Sequence, residues 1–177
     1  TGLNPEVERN FNESIEHLKS LGYEIVDVSL PLIKYSLAVY YIIQPAEASS
    51  NLARFDGVRY GLRSEGKNLE EVYSKTRGAG FGKETRRRIL LGTYVLSHGY
   101  YDAYYNKALL LQKEITNELK NIFKSVDFIF TPTTATGAFK IGEKSDPVSM
   151  YLSDIFTVPA NIAGTPAISV PSGFTSE

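Results

Sequence analysis

The first helix of the chain is predicted by apolar residues that recur every three to four positions. Such spacing places them on one face of an α-helix. Asn4 precedes Pro5, which is the usual order of a capping residue followed by proline in the first turn. Gly22 follows the last apolar position and is expected to end the helix. The residues of the apolar face are Val7, Phe11, Ile15 and Leu18.

Similar patterns predict further helices and three strands. Alternation of apolar and polar residues predicts a strand over Tyr23–Leu30, and short apolar runs predict strands at Val126–Thr131 and Ala167–Val170. Pro45 lies inside one predicted helix and is expected to kink or break it. The glycine-rich segment from Gly78 is expected to end another helix. Strands separated by long helices indicate an α/β architecture. Helices are predicted over residues 34–53, 68–75, 83–97 and 101–124, with shorter ones at 150–156 and after 158.

The composition excludes several classes of function for this chain of 177 residues, about the length of one domain. Its 20 acidic and 19 basic residues nearly cancel, so the basic surface of a nucleic-acid-binding domain is not expected. The absence of cysteine excludes disulfides and thiolate chemistry and is compatible with the cytoplasm, where we expect the protein. The two histidines have no metal-ligand spacing, so no metal site is predicted. The longest apolar stretch, residues 35–43, is far shorter than the roughly 20 residues of a membrane span.

Three consecutive arginines, Arg86, Arg87 and Arg88, lie on one predicted helix. Successive side chains on a helix point about 100° apart, so the three cannot face one pocket together. They either form a solvated basic stripe or include one arginine that turns inward to bind a carboxylate through two hydrogen bonds. A helical wheel places Arg87 near the centre of the apolar arc and the other two beyond its edges. The arc consists of Leu90, Leu91, Tyr94 and Val95.

Asp154 is a lone acid in the mostly apolar stretch from Met150 to Pro171. One interpretation is a helix residue or helix cap. The other is a ligand-facing group, and its natural partner is an ammonium group. A pocket that selects an α-amino acid needs one base and one acid, since leaving either group of the ligand unpaired is costly. Tyr40, next to Tyr41, suits a packing role, as do most of the 12 tyrosines.

Three segments together resemble the amidase-signature family: DGVRYG at residues 56–61, RRRILLGTYVLSHGYYDAYY at 86–105, and MYLSDIFTVPANIAGTPAISVP at 150–171. The resemblance runs from about Tyr23 to the last residue. It is strongest to the glutamine-hydrolysing members that serve tRNA-dependent amidotransferases. It implies that residues 1–177 are the C-terminal portion of a single amidase-signature domain whose N-terminal catalytic half is absent. The implied fold is part of a mixed β-sheet covered by helices, in a helix-rich fragment.

The resemblance assigns a substrate site to residues in this chain. Arg88, directly before Ile89, is implied to hold the α-carboxylate of glutamine, with Arg87 as the alternative. Asp154 is implied to bind the α-ammonium group, and Tyr40 matches a tyrosine of the substrate pocket. We therefore expect Arg88 and Asp154 to border the same cavity.

The catalytic residues of the family, two serines and a lysine, are expected N-terminal to this chain. Ser64 and Lys67 fit an S-x-x-K pattern, but the glycine-containing polar loop around them indicates a chance match. The chain alone is therefore predicted to be inactive and to hold no cofactor, with ATP and Mg²⁺ on a partner subunit. Other amidotransferase subunits of a heterotrimer are the implied partners, and tRNA is expected to bind through a partner. A free-standing amidase fragment and a non-catalytic helical interaction module are the alternatives.

Overall fold

The computed structural model describes residues 2–144 and 146–176. The chain divides into two compact units. The terminal unit consists of Thr1–Ala38 and Gln112–Glu177, and the central unit consists of Val39–Leu111.

Seven α-helices account for the regular structure of the described residues. A 3₁₀ turn, Ile33–Tyr35, comes before the second helix, and a π-helical turn, Tyr101–Tyr105, comes before the fifth. The helices are α1 (Pro5–Ser20), α2 (Ser36–Leu52), α3 (Leu69–Gly80), α4 (Lys83–Val95), α5 (Asn106–Ile122), α6 (Pro147–Leu152) and α7 (Val158–Ala163).

Two predicted helix starts are confirmed by their capping geometry. The Asn4 side chain accepts a hydrogen bond from the backbone N–H of Glu6 at 2.8 Å. The Asn68 side chain accepts one from the backbone N–H of Glu71 at 2.9 Å. Both asparagines have extended backbone angles, as residues at this position do, and each satisfies an N–H that the first turn of its helix leaves without a partner.

Pro45 does not break its helix, because α2 runs through it without ending. The glycine-rich segment from Gly78 ends α3 as predicted, with Gly80 as the last helical residue. Pro45 is almost completely buried, with less than 2% of its surface exposed. Tertiary packing at this buried position therefore offsets the helix-breaking tendency of proline.

The predicted mixed β-sheet is wrong for the described residues, which contain no strand. No ladder of backbone hydrogen bonds joins the predicted strands to a neighbouring segment in this part of the chain. The three predicted strands are Tyr23–Leu30, Val126–Thr131 and Ala167–Val170. Phe128 is 85% exposed and Ile168 is 89% exposed. An apolar run indicates that a segment suits a strand, but it does not supply the neighbouring strand that must accept and donate its hydrogen bonds.

The terminal unit packs around α5, where Ile115 is fully buried and Leu119 is 6% exposed. The rings of Phe11 on α1 and Phe130 stack with centroids 5.0 Å apart. The carboxylate of Glu118 on α5 accepts hydrogen bonds from the backbone N–H of Leu32 at 3.2 Å. Ile115 and Leu119 of α5 thus belong to the core of this unit.

In the central unit, α2 and α4 cross in close contact at Gly92. A Cβ atom added to Gly92 would overlap the backbone carbonyl of Pro45 and lie 2.7 Å from Oγ of Ser49. Ser49 is itself buried and donates a hydrogen bond to the carbonyl oxygen of Ala46 at 2.9 Å. Only a residue without a side chain fits at this crossing.

Gly92→Ala is expected to destabilise the chain by roughly 1–3 kcal/mol, because a backbone group of α2 must move to admit the methyl group. Gly78→Ala is the matched control, since a Cβ there meets nothing within 4 Å. The control should raise the free energy of unfolding by about 0.4–1 kcal/mol. Urea unfolding of both variants measures the contrast. Equal effects of the two substitutions would contradict the close crossing.

Candidate functional site

Helix α4 turns Arg88, and not Arg87, toward α2. The packed face of this helix shares only Val95 with the predicted apolar arc, because Leu90 in that arc is 71% exposed. The packed face contains the buried Gly92 and Val95. Arg88 lies four residues before Gly92 and so shares its face. The inward face is marked by a glycine, which a search for large apolar side chains overlooks.

The guanidinium group of Arg88 has contacts on several sides. Nε donates a hydrogen bond to Oε1 of Glu84 at 3.0 Å, and Nη1 donates to Oε1 of Gln44 at 2.6 Å. The Tyr40 side chain also interacts electrostatically with Arg88. The guanidinium carbon lies 5.4 Å from the centre of the Tyr41 ring, a distance typical of a cation–π contact. The structure therefore brings together two predicted site residues, Arg88 and Tyr40, within the central unit.

These neighbours keep the half-buried guanidinium charged. Burial acts to lower the pKa of Arg88, but the hydrogen bond to Glu84 and the interaction with Tyr40 outweigh it and raise the pKa above its usual range. Hydrogen bonds that Arg88 donates are stronger when the group is ionised. The site thus contains a permanent positive charge that can bind an anion such as a carboxylate.

The other two arginines of the triplet are more exposed to solvent. The side chain of Arg87 is 43% exposed and pairs with Glu84 at 2.8 Å, whereas that of Arg88 is 23% exposed. Arg86 is also exposed. The triplet therefore combines both interpretations, a solvated basic stripe formed by Arg86 and Arg87 and one inward-facing arginine.

Two residues of this site, Gln44 and Glu84, were not predicted from the sequence. Both lie at helical spacing from residues that were. Gln44 follows Tyr40 by four positions on α2, and Glu84 precedes Arg88 by four on α4. Residues four apart on a helix share a face, so this spacing was the available signal.

Asp154 lies in the terminal unit, on the turn between α6 and α7. Its backbone N–H donates to the carbonyl oxygen of Tyr151 at 3.0 Å, and its own carbonyl oxygen accepts from the N–H groups of Thr157 and Val158 at 3.1 and 3.0 Å. The cap position of α7 is Thr157, so Asp154 does not serve as a helix cap. Within residues 2–144 and 146–176, the half-buried carboxylate of Asp154 forms no hydrogen bond or ion pair.

Helix α7, which follows this turn, is anchored at both its core face and its end. Val158, Pro159 and Ile162 are buried. Nε2 of Gln112 on α5 donates a hydrogen bond to the carbonyl oxygen of Ile162 at 2.9 Å. Gly164 ends the helix with φ of +66°, a left-handed conformation that favours glycine. These contacts fix the segment that carries Asp154 within its own unit.

A cluster of tyrosines in the central unit also has perturbed electrostatics. Burial, followed by the nearby charge of Glu47, raises the pKa of Tyr105. A hydrogen bond to Tyr100 is the main cause that raises the pKa of Tyr94 to about 12. Both effects favour the neutral phenol, so the two tyrosines stay protonated at neutral pH.

Two further kinds of site are absent from the part of the chain that the structure describes. No group of three or more histidine, aspartate or glutamate side chains there is arranged to hold a metal ion. No helix there has both the length and the apolar character to cross a membrane.

Comparisons with known proteins identify the family that this chain resembles. The family model described as Amidase matches residues 1–177. The A subunit of glutamyl-tRNA(Gln) amidotransferase from Pelagibacter ubique is 60% identical over 173 residues, which are 97% of this chain and 36% of that protein. The protein of the same name from Rhizorhabdus wittichii is 58% identical over 175 residues, 97% of this chain and 35% of that protein.

A solved structure gives a consistent match. The crystal structure of the corresponding glutamyl-tRNA(Gln) amidotransferase protein from Thermotoga maritima, again the A subunit, aligns with a TM-score of 0.71 and 45% sequence identity. The alignment covers 99% of this chain and 34% of that one. The chain thus spans about a third of the length of these relatives. The assignment of that third to the C-terminal half of the longer protein stays a prediction.

Proposed function

Since this chain belongs to the amidase family, we propose that it is part of the glutaminase subunit of a tRNA-dependent amidotransferase. The subunit hydrolyses glutamine and supplies ammonia for the conversion of Glu-tRNA(Gln) to Gln-tRNA(Gln). Relatives at 58–60% identity, named as the A subunit of glutamyl-tRNA(Gln) amidotransferase, support this proposal. Its other subunits are the partners, tRNA binds through them, and the complex works in the cytoplasm.

The observation that carries the proposal is the inward-facing Arg88. A guanidinium group that is partly removed from water and kept charged suits a carboxylate ligand, to which it can donate two parallel hydrogen bonds. Glutamine presents such a carboxylate on its α-carbon. Arg88 binds this group in our proposal, and Tyr40 lines the pocket beside it.

Asp154 supplies the second half of substrate recognition in this proposal. Its carboxylate is half-buried and forms no hydrogen bond within the described part of the chain. A carboxylate of this kind suits the α-ammonium group of glutamine. An amide that lacks this ammonium group leaves Asp154 without a counter-charge, so the substrate is selected as an amino acid.

The chemical step belongs to residues outside this chain. We propose that a serine, a bridging serine and a lysine lie N-terminal to it in the longer protein. The serine attacks the side-chain amide of glutamine and ammonia leaves. Water then hydrolyses the resulting ester and releases glutamate. ATP and Mg²⁺ act on a partner subunit that activates glutamyl-tRNA(Gln).

A free-standing amidase is the alternative within the family. It has no need for a base and an acid that recognise an α-amino acid, so substitutions of Arg88 and Asp154 discriminate between the two functions. A non-catalytic helical interaction module is less consistent with a half-buried, multiply bonded arginine.

Arg88→Met in the assembled, full-length complex should raise the KM for glutamine by about tenfold to a hundredfold. The loss of charge-assisted hydrogen bonds worth roughly 1.5–3 kcal/mol is the reason. Activity with added ammonia should be retained, because ammonia bypasses the glutaminase site. Steady-state kinetics with each nitrogen donor measure the effect. Arg87→Met is the matched control, because its exposed side chain also pairs with Glu84, and it should change the glutamine KM by less than about threefold.

Asp154→Asn tests the ammonium half separately, since it keeps the shape of the side chain and removes its charge. The glutamine KM should rise by at least about tenfold. Discrimination against 4-carboxybutanamide, which keeps the amide and carboxylate but lacks the α-ammonium group, should weaken. Wild-type KM values for glutamine in both Arg88→Met and Asp154→Asn would show that the proposed glutamine site is wrong. They would favour the free-standing amidase.

The purified 177-residue chain should release no ammonia from glutamine, because the catalytic serines and lysine are proposed to lie outside it. A coupled assay with glutamate dehydrogenase detects the product. The full-length protein in its complex serves as the positive control. Ammonia release by the chain above a buffer blank would show that it contains its own nucleophile.

A further inference from the structure

We infer that Gln44 and Glu84 are positioning residues that hold the Arg88 guanidinium in the orientation needed to bind the substrate carboxylate. The inference rests on the proposed function and assigns a role to two residues that touch Arg88 and not the substrate. Neither residue was predicted from the sequence.

The two acceptors hold different nitrogen atoms of the guanidinium plane. Glu84 on α4 accepts from Nε at 3.0 Å, and Gln44 on α2 accepts from Nη1 at 2.6 Å. A single hydrogen bond leaves a planar group free to rotate about it, whereas two bonds to different nitrogens restrain that rotation. Because the acceptors come from different helices, they fix Arg88 relative to both. The Tyr41 ring, 5.4 Å from the guanidinium carbon, adds a further contact.

The arrangement still leaves donors for a ligand. A guanidinium has five N–H donors. The hydrogen bonds to Glu84 and Gln44 require one donor each, and five minus two leaves three. Two donors are what a bidentate bond to one carboxylate requires. Positioning therefore does not consume the capacity of Arg88 to bind the substrate.

The two positioning residues differ in charge, and the difference is useful. Glu84 is a carboxylate that is 48% exposed and is shared with Arg87. Gln44 is neutral and half-buried on the inner side of the site. A neutral acceptor at this place orients the guanidinium without neutralising it, so the positive charge stays available to the substrate anion.

Gln44→Leu in the assembled full-length complex tests the inference. The substitution removes the acceptor at similar volume and should raise the glutamine KM by about tenfold, with kcat within about twofold, since the lost interaction is ground-state binding. Glu84→Leu should act in the same direction, and Glu84→Gln, which keeps an acceptor oxygen for Nε, should restore most of the loss. Asn51→Leu is the control, at an exposed position of the same helix, and should leave KM within about twofold.

A double-mutant cycle separates positioning from general loss of structure. In the Arg88→Met background, Gln44→Leu should cause no further rise in KM, because the group that it positions is gone. An equal rise in both backgrounds would overturn the inference, as would a lowered kcat at unchanged KM. Because Glu84 is half-exposed, its variants supply the same cycle if Gln44→Leu fails to fold.

The outcomes also distinguish this inference from the proposed function. If Arg88→Met leaves the glutamine KM unchanged, the proposed substrate site itself is wrong. If Arg88→Met raises KM while Gln44→Leu and Glu84→Leu do not, the proposed function stands and the positioning role is overturned.

Discussion

The close crossing of α2 and α4 is the constraint on which the candidate site depends. Gly92 lets the backbone of α4 approach the carbonyl of Pro45, where any larger residue would collide. Arg88 lies one turn before Gly92, and Gln44 lies next to Pro45. At a wider helix separation, the 2.6 Å hydrogen bond between these two side chains could not form. A residue with no side chain thus positions the most polar group of the site.

The balance of charge around the crossing favours an anionic ligand. Glu84 lies within 3.0 Å of both Arg87 and Arg88, so one carboxylate faces two guanidinium groups. The second acceptor of Arg88, Gln44, brings no charge. A net positive charge therefore remains, and partial burial strengthens its interactions because solvent screens it less. The same residues restrain the arginine and compensate its charge only in part, since Glu84 is shared with Arg87.

The helices were predictable because their signals are local. Asn4 and Asn68 reach N–H groups two and three residues away, so the sequence alone contains both partners. The orientation of α4 was not predictable, because Gly92 acts through residues of another helix and Leu90 remains exposed. The prediction of three strands was wrong for a related reason. Their apolar residues are present, but a ladder requires a second segment, and the described residues contain none in register. Resemblance selected Arg88 where the helical wheel preferred Arg87.

Within the part of the chain that the structure describes, the contacts of Arg88 come from residues 40–84, inside the central unit. Its orientation is therefore set by groups of that unit. Asp154 is likewise fixed by backbone hydrogen bonds of its own turn and by the anchored α7. Recognition groups that are held locally lose little side-chain entropy when the substrate binds. Under the proposed function, changes in these two groups should act on glutamine binding before they act on the chemical step.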